Sequence, residues 1–127
     1  MKYDIHTDVM WKPLEVVDAG RLADECPSKW WNQTLCQVND SVARLGVFDG
    51  GEFHWHKHDR EDELFFVLEG TLLLDLEDRT VELTPRQGMV VPRGVIHRTR
   101  APSRVVVLMI ESASIVPTGD AAEPPIE

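Results

Sequence analysis

Four residues of this chain, His56, His58, Glu63 and His97, have the types and spacing to hold a divalent metal ion. The segment around the first three reads GGEFHWHKHDREDELFFVLEG. In a strand, residues two apart share a face and lie ~6.5–7 Å apart along the chain. His56 and His58 therefore project side by side, and their imidazole nitrogens can converge on one ion at ~2.0–2.2 Å each. Glu63 follows the connector Asp59-Arg60-Glu61-Asp62, which is long enough to turn the chain into the next strand and bring a carboxylate beside the two rings. His97 comes just after the turn Pro92-Arg93-Gly94. No single strand can surround an ion, so a ligand from a distant strand is what a barrel interior requires. Three neutral imidazoles and one carboxylate would leave a divalent ion at about +1, in a site too rich in nitrogen for calcium or magnesium. The set suits iron, manganese, cobalt, nickel, copper or zinc. An ion preferring six ligands would keep two positions open for water or substrate.

The elements that must carry these residues are short strands. Residues 34–48, TLCQVNDSVARLGVF, read as two strands around the turn Asn39-Asp40. Asp49-Gly50-Gly51 signals a turn, and EFHWHKH alternates like a strand. LFFVLEG, TLLLDLED and TVELTP follow, joined at Glu69-Gly70 and Asp78-Arg79, and GMVVPRG, VIHRTRA and RVVVLMIES continue the pattern. Strands rich in Val, Leu and Phe, broken by turn residues at short intervals, predict an all-β sandwich or barrel rather than alternating β/α units. One helical stretch, VDAGRLADE, stands in residues 1–33. The expected organisation is one domain over 1–112 with its barrel core at about 34–111. The proline-rich, acidic stretch 113–127 is expected to be a flexible, extended tail.

The metal segment resembles the first cupin motif: Gly, five residues, His-x-His, three or four residues, Glu, six residues, Gly. Gly50, His56, His58, Glu63 and Gly70 meet it at every spacing. The second cupin motif runs Gly, five residues, Pro-x-Gly, two residues, His, three residues, Asn. Pro92, Gly94 and His97 match its centre. Gly88 lies only three residues before Pro92, and Ala101 stands in place of the final Asn. That Asn is usually structural, so its replacement does little to the metal reading. The motifs span residues 50–101. The resemblance implies a double-stranded β-helix, an antiparallel jelly roll of six to eight strands that is often a homodimer. The combination WHKH, EDELFFVLEG and VVPRGVIHR is most similar to small single-domain cupins labelled mannose-6-phosphate-isomerase-like. Such a label rests on a shared fold, which hosts many functions.

Parity assigns the neighbours. Phe65 and Val67 share the face of Glu63 and are expected to line the pocket, as is Thr99 beside His97. Leu64, Phe66 and Leu68 face the other way, so that side needs cover from another sheet, the N-terminal segment or a second subunit. His54 shares the face of His56 and His58. It could line the pocket, act as an alternative ligand, or sit partly exposed at the start of the strand. It is also the candidate for an acid or base, a role to which no residue commits. Trp55 points away from the metal, towards an interface or plain core. Arg98 and Arg100 are expected to point outward, and Glu61 and Asp62 to be solvated. The run Val105 to Ile110 is read as core.

A chain of 127 residues has the size of one domain. Apolar residues make up 43% and charged residues 28%, close to a soluble globular average. The net charge of −9 opposes phosphate backbones and anionic lipid, so neither nucleic acid nor membrane is an expected partner. A small molecule is. Cys26 and Cys36 form no metal or redox motif, and the N-terminal residues lack the apolar run of a signal peptide. The default expectation is a reduced, cytoplasmic protein, with a disulfide between the two cysteines left open. An enzyme is the first reading, either a metal-dependent isomerase, epimerase or lyase, or a dioxygenase. A non-catalytic metabolite- or metal-binding module is the alternative, and an empty dimerisation barrel is a third.

Overall fold

The computed structural model describes residues 3–120. The elements run β1 (Asp4–His6), α1 (Ala19–Asp24), β2 (Trp30–Val38), β3 (Ser41–Phe48), β4 (Glu63–Glu69), β5 (Leu72–Leu76), β6 (Thr80–Leu83), β7 (Gly88–Val91), β8 (His97–Arg100) and β9 (Val105–Ser112). One sheet has six strands in the order β1-β2-β3-β9-β4-β7, and a second has three in the order β6-β5-β8. This is an all-β sandwich, as the strand pattern predicts, in the jelly-roll form that the resemblance implies.

Period-two alternation explains how the large sheet is built. In β9, Val105, Val107, Met109 and Glu111 are buried on the inner face. In β4, Glu63, Phe65 and Val67 do the same. The inner core joins Phe48, Phe65, Val67, Val105, Val107 and Met109 with Leu72, Leu74 and Leu83 of the small sheet. Each such side chain contributes roughly 1.5–3 kcal/mol by leaving water. Intervening residues face outward. Leu45, Val47 and Val106 pack there with Trp31, Leu35 and Ala23 of α1. Asp18 caps that helix by accepting from the Arg21 backbone N–H at 3.0 Å. Farther along the outer face the cover ends, and Leu68, Val90 and Ile110 are exposed.

Tight turns set the registers. Asn39, at φ 51°, closes the β2–β3 hairpin in the left-handed region that Asn tolerates. Gly70, at φ 78°, leaves β4 so close to the Arg104 carbonyl that a Cβ would stand 2.3 Å from that oxygen. Only glycine meets both demands.

Three expectations need correction. The segment EFHWHKH is not a regular strand: its bridges, at Glu52–Arg100 and His56–His97, are isolated and form no continuous ladder. The N-terminal residues contribute β1, which pairs in parallel with β2, and β2 itself begins at Trp30 rather than at Thr34. The stretch from 113 is not loose throughout: Ile115 is buried, and the Gly119 and Asp120 amides donate to the Val116 and Lys57 carbonyls at 2.8 and 3.0 Å. Residues 121–127 of the expected tail lie outside the described residues. Both cysteines are free thiols, and no described helix is long and apolar enough to cross a membrane.

Candidate metal centre

His97 opens β8 and Glu63 opens β4, whereas His56 and His58 stand on the irregular segment between β3 and β4. That segment is held by main-chain bonds. His56 N–H donates to the His97 carbonyl at 3.0 Å, and His97 N–H returns the bond to His56 at 2.9 Å. Gly94 N–H donates to the His58 carbonyl at 2.8 Å, which fastens the Pro92-Arg93-Gly94 turn to the second histidine. Asp62 anchors the same turn from outside, accepting from the Arg93 backbone N–H at 2.9 Å and its Nε at 3.2 Å.

These bonds gather the four side chains. One donor atom from each of His56, His58, Glu63 and His97 lies within 4.8 Å of the others, and all four residues are buried. Two rings have a fixed tautomer. His56 Nδ1–H donates to the His54 carbonyl at 3.0 Å, and His97 Nδ1–H donates to the Val95 carbonyl at 2.9 Å. Each keeps Nε2 as a lone-pair donor for the interior. His58 Nε2 and His97 Nε2 stand 3.5 and 3.3 Å from Glu63 Oε1.

These contacts are close enough for attraction but do not satisfy the atoms. His58 Nδ1 and Nε2, Glu63 Oε1 and His97 Nε2 are buried without hydrogen-bond partners. Leaving one such group unsatisfied costs about 1–3 kcal/mol, so several around one point mark a place that could hold an ion. The donor chemistry, three imidazoles and a carboxylate, fits a divalent transition metal.

The electrostatics agree. Burial pushes the His56 imidazole down to about 3, and neighbouring His97 reinforces the shift, so the ring is neutral and ready to ligate at ordinary pH. Burial works to raise Glu63, but the adjacent His58 and His97 rings outweigh it and hold the carboxyl well below the usual range. A second carboxylate sits opposite: Glu111 is the direct cross-strand partner of Glu63. Burial, and then the charge of Glu63, raise Glu111 well above the ordinary value, so the proton of this pair resides on Glu111.

A cavity of about 30 Å³ opens beside the cluster, lined by His56, Glu63, Phe65, Thr99 and Glu111, with Phe48, Phe53, Met109 and Pro117 as apolar walls. Phe65 and Thr99 thus occupy the wall. Val67 is fully buried in the core and does not line this cavity. His54 joins neither the ligand group nor the lining. Its Nε2–H donates to the Thr118 carbonyl at 2.6 Å, and its Nδ1 accepts from the Tyr3 hydroxyl at 3.2 Å, so it ties distant chain segments together. Trp55 is buried, with the Arg98 guanidinium 4.7 Å above its ring. Arg98 and Arg100 lie on the outer face of the small sheet, where both grip Asp75. Glu61 is not solvated: it is buried and accepts from the Ser114 hydroxyl at 2.8 Å.

Residues that spacing did not single out complete the site. Arg44 is 2% exposed and lines the cavity with Asn32. Its guanidinium donates to Thr34 Oγ1 and Asn32 Oδ1, and its Nε lies 3.4 Å from Glu111 Oε1. The available signal was a charge at an inward position of an apolar strand, in VARLGVF and again in VVVLMIE.

The Cupin_2 family, described as Cupin domain, matches residues 46–111. YdbB of Bacillus subtilis (strain 168) is 44% identical over 91 residues, which cover 71% of this chain and 80% of that protein. The mannose-1-phosphate guanylyltransferase of Sinorhizobium fredii (strain NBRC 101917 / NGR234) is 33% identical over 84 residues, which cover 65% of this chain but only 16% of the transferase. The crystal structure of a cupin-2 domain containing protein from Shewanella frigidimarina superposes with a TM-score of 0.72 at 30% identity, covering 76% of this chain and 94% of that one. With both motif histidine groups inside the matched region and the jelly roll in place, this chain belongs to the cupin family.

Proposed function

We propose that this chain binds one divalent transition-metal ion through His56, His58, Glu63 and His97 and presents its open positions to a small molecule in the adjoining cavity. The observation that carries this reading is the convergence of four buried donors, with unpartnered atoms on three of them. A bound ion would supply Lewis acidity, and redox chemistry if it were iron or copper. The chain's own part is to keep the His56 imidazole neutral, to orient the rings of His56 and His97 through their Nδ1 bonds, and to exclude bulk water with Phe48, Phe53, Phe65 and Met109.

A catalytic reading is favoured by one feature. Glu111 Oε2 is buried and unpartnered beside the ligand cluster, where it can hydrogen-bond to a molecule on the ion. That supports a metal-dependent isomerase, epimerase or lyase, or a dioxygenase. The short match to the guanylyltransferase lends no activity to this chain.

Elemental analysis of protein purified without added metal, followed by a substrate screen with oxygen uptake recorded, tests the proposal. Stoichiometric iron with oxygen consumption would select the dioxygenase. Zinc or manganese without it would select the isomerase, lyase or binding role. Metal content that survives the double substitution His56→Ala and His58→Ala would defeat the site.

A further inference from the structure

The segment after β9 returns across the metal centre and is fastened to the stretch that bears two of its ligands. The Thr118 carbonyl accepts from His54 Nε2 at 2.6 Å, Asp120 N–H donates to the Lys57 carbonyl at 3.0 Å, and Asp120 Oδ2 accepts from Asp59 N–H at 2.5 Å. Gly119 lies directly on His56: a Cβ placed there would stand 2.6 Å from the His56 Cβ, and the backbone is at φ 95°. A side chain at this position would therefore both clash and strain the chain. Pro117 forms part of the cavity wall.

His58 supplies a second, independent observation. His56 and His97 each have Nδ1 bonded to a backbone carbonyl, whereas neither ring nitrogen of His58 has a partner, although the residue is 2% exposed. A nitrogen of this ring lies within 4.8 Å of carboxylate oxygens of Glu61 and Asp120. Ligating histidines commonly direct their other N–H at a carboxylate, which fixes the ring and strengthens it as a donor.

We infer that residues 115–120 are a strap that closes over the metal centre, with Gly119 seated on His56 and the Asp120 carboxylate, beside Glu61, steadying His58, so that ion release requires the strap to lift. The inference rests on the metal reading above and adds a coupling between occupancy and the strap. The cavity beside the cluster is small, about 30 Å³, with room for roughly two waters. Pro117, on the wall of that cavity, belongs to the strap.

Co²⁺ added to the metal-free full chain is the probe. Hydrogen exchange of the peptide covering 113–120 is expected to slow on Co²⁺ binding, because the Gly119 and Asp120 amides are held closed. With excess EDTA, loss of the Co²⁺ absorption bands is expected to be about tenfold or more faster in Gly119→Val and in Asp120→Ala than in the unaltered chain. Asp120→Ala removes a half-buried carboxylate and carries the test should Gly119→Val misfold. Release at the unaltered rate in a folded variant overturns the strap while leaving the metal site standing. Failure of the unaltered chain to take up Co²⁺ at all strikes the metal reading first, and the strap with it.

Discussion

His56 and His97 exchange both of their backbone hydrogen bonds, at 3.0 and 2.9 Å, and their rings stand 4.4 Å apart. Two candidate ligands distant in sequence are therefore brought together by one isolated bridge. The bridge fixes where the imidazoles can point before any ion arrives, so the centre is largely preorganised.

Loss of one ligand should accordingly weaken the ion without collapsing the fold. His97→Ala is expected to lower metal affinity by more than the about hundredfold that loss of a merely supporting group reaches. Competition against a chromophoric chelator measures it. In the unaltered chain, free ion at a hundred times its dissociation constant should add about 2.7 kcal/mol to unfolding. EDTA should remove that increment in a thermal melt.

The pH dependence of the metal-free chain has two opposing arms. The folded His56 resists protonation down to about 3, whereas the unfolded ring takes up a proton below its ordinary value near 6.5. The unfolded state binds more protons between those limits, so this group makes stability fall as pH drops, by up to about 1.4 kcal/mol per unit. Glu111 has its folded value raised, so its contribution is present at low pH and is lost as pH rises through that value. Glu111→Gln deletes the second arm. Urea unfolding from pH 4.5 to 6.5 should show stability climbing more steeply with pH in the variant than in the parent; an equal slope would refute the assignment.

Arg44 and Glu111 meet in the buried interior, with Arg44 Nε 3.4 Å from Glu111 Oε1. Arg44→Met strands the acceptors Asn32 Oδ1 and Thr34 Oγ1 and leaves Glu111 without its guanidinium. A loss of about 1–3 kcal/mol is expected by urea titration. The double variant Arg44→Met and Glu111→Leu should recover part of it, because no half-pair remains buried. Strict additivity would show that the two do not interact.

Asp75 tests the far sheet independently. It accepts from Arg100 at 2.9 Å through both oxygens, from Arg98 at 2.8 Å and from Thr80 at 2.6 Å, and the Arg100 contact, partly opposed by burial, leads in holding its carboxyl below the usual range. Its stabilising effect is present above the ordinary aspartate value and fades as pH falls through the lowered one. Asp75→Asn is expected to cost about 1–3 kcal/mol at neutral pH with metal uptake unchanged. Circular dichroism melts and a metal assay on one sample read both.

The clustering of His56, His58, Glu63 and His97 was legible in the sequence because metal binding needs fixed residue types at fixed separations, and Gly50 to Gly70 and Pro92 to His97 supply them. Phe65 and Thr99 followed by parity from Glu63 and His97. Parity misled at His54, because residues 54–59 do not extend as a strand and the ring turns to Tyr3 and Thr118. It missed Arg44 and Glu111, since a charged residue in a strand is ordinarily assigned to the wet face and only their mutual pairing makes the dry one tolerable. The strand β1 left no trace in the pattern: three residues in parallel pairing carry too little alternation. Glu61 stood within a run of acids, DREDE, whose ordinary fate is solvent; its burial depends on Ser114, fifty-three positions away.

The placement of β9 also bears on how the protein is made. It lies between β3 and β4, paired with both along most of its length, although it is the last strand of the described chain. A ribosome that has delivered β1 to β8 has produced two flanks with no centre, each presenting an unpaired edge. The metal ligands would all have been synthesised by then, yet the wall that carries Glu111 would not exist. Assembly of the pocket therefore waits for the final strand to insert, a long-range closure of the kind that makes β architectures slow to fold and exposed to misassociation on the way.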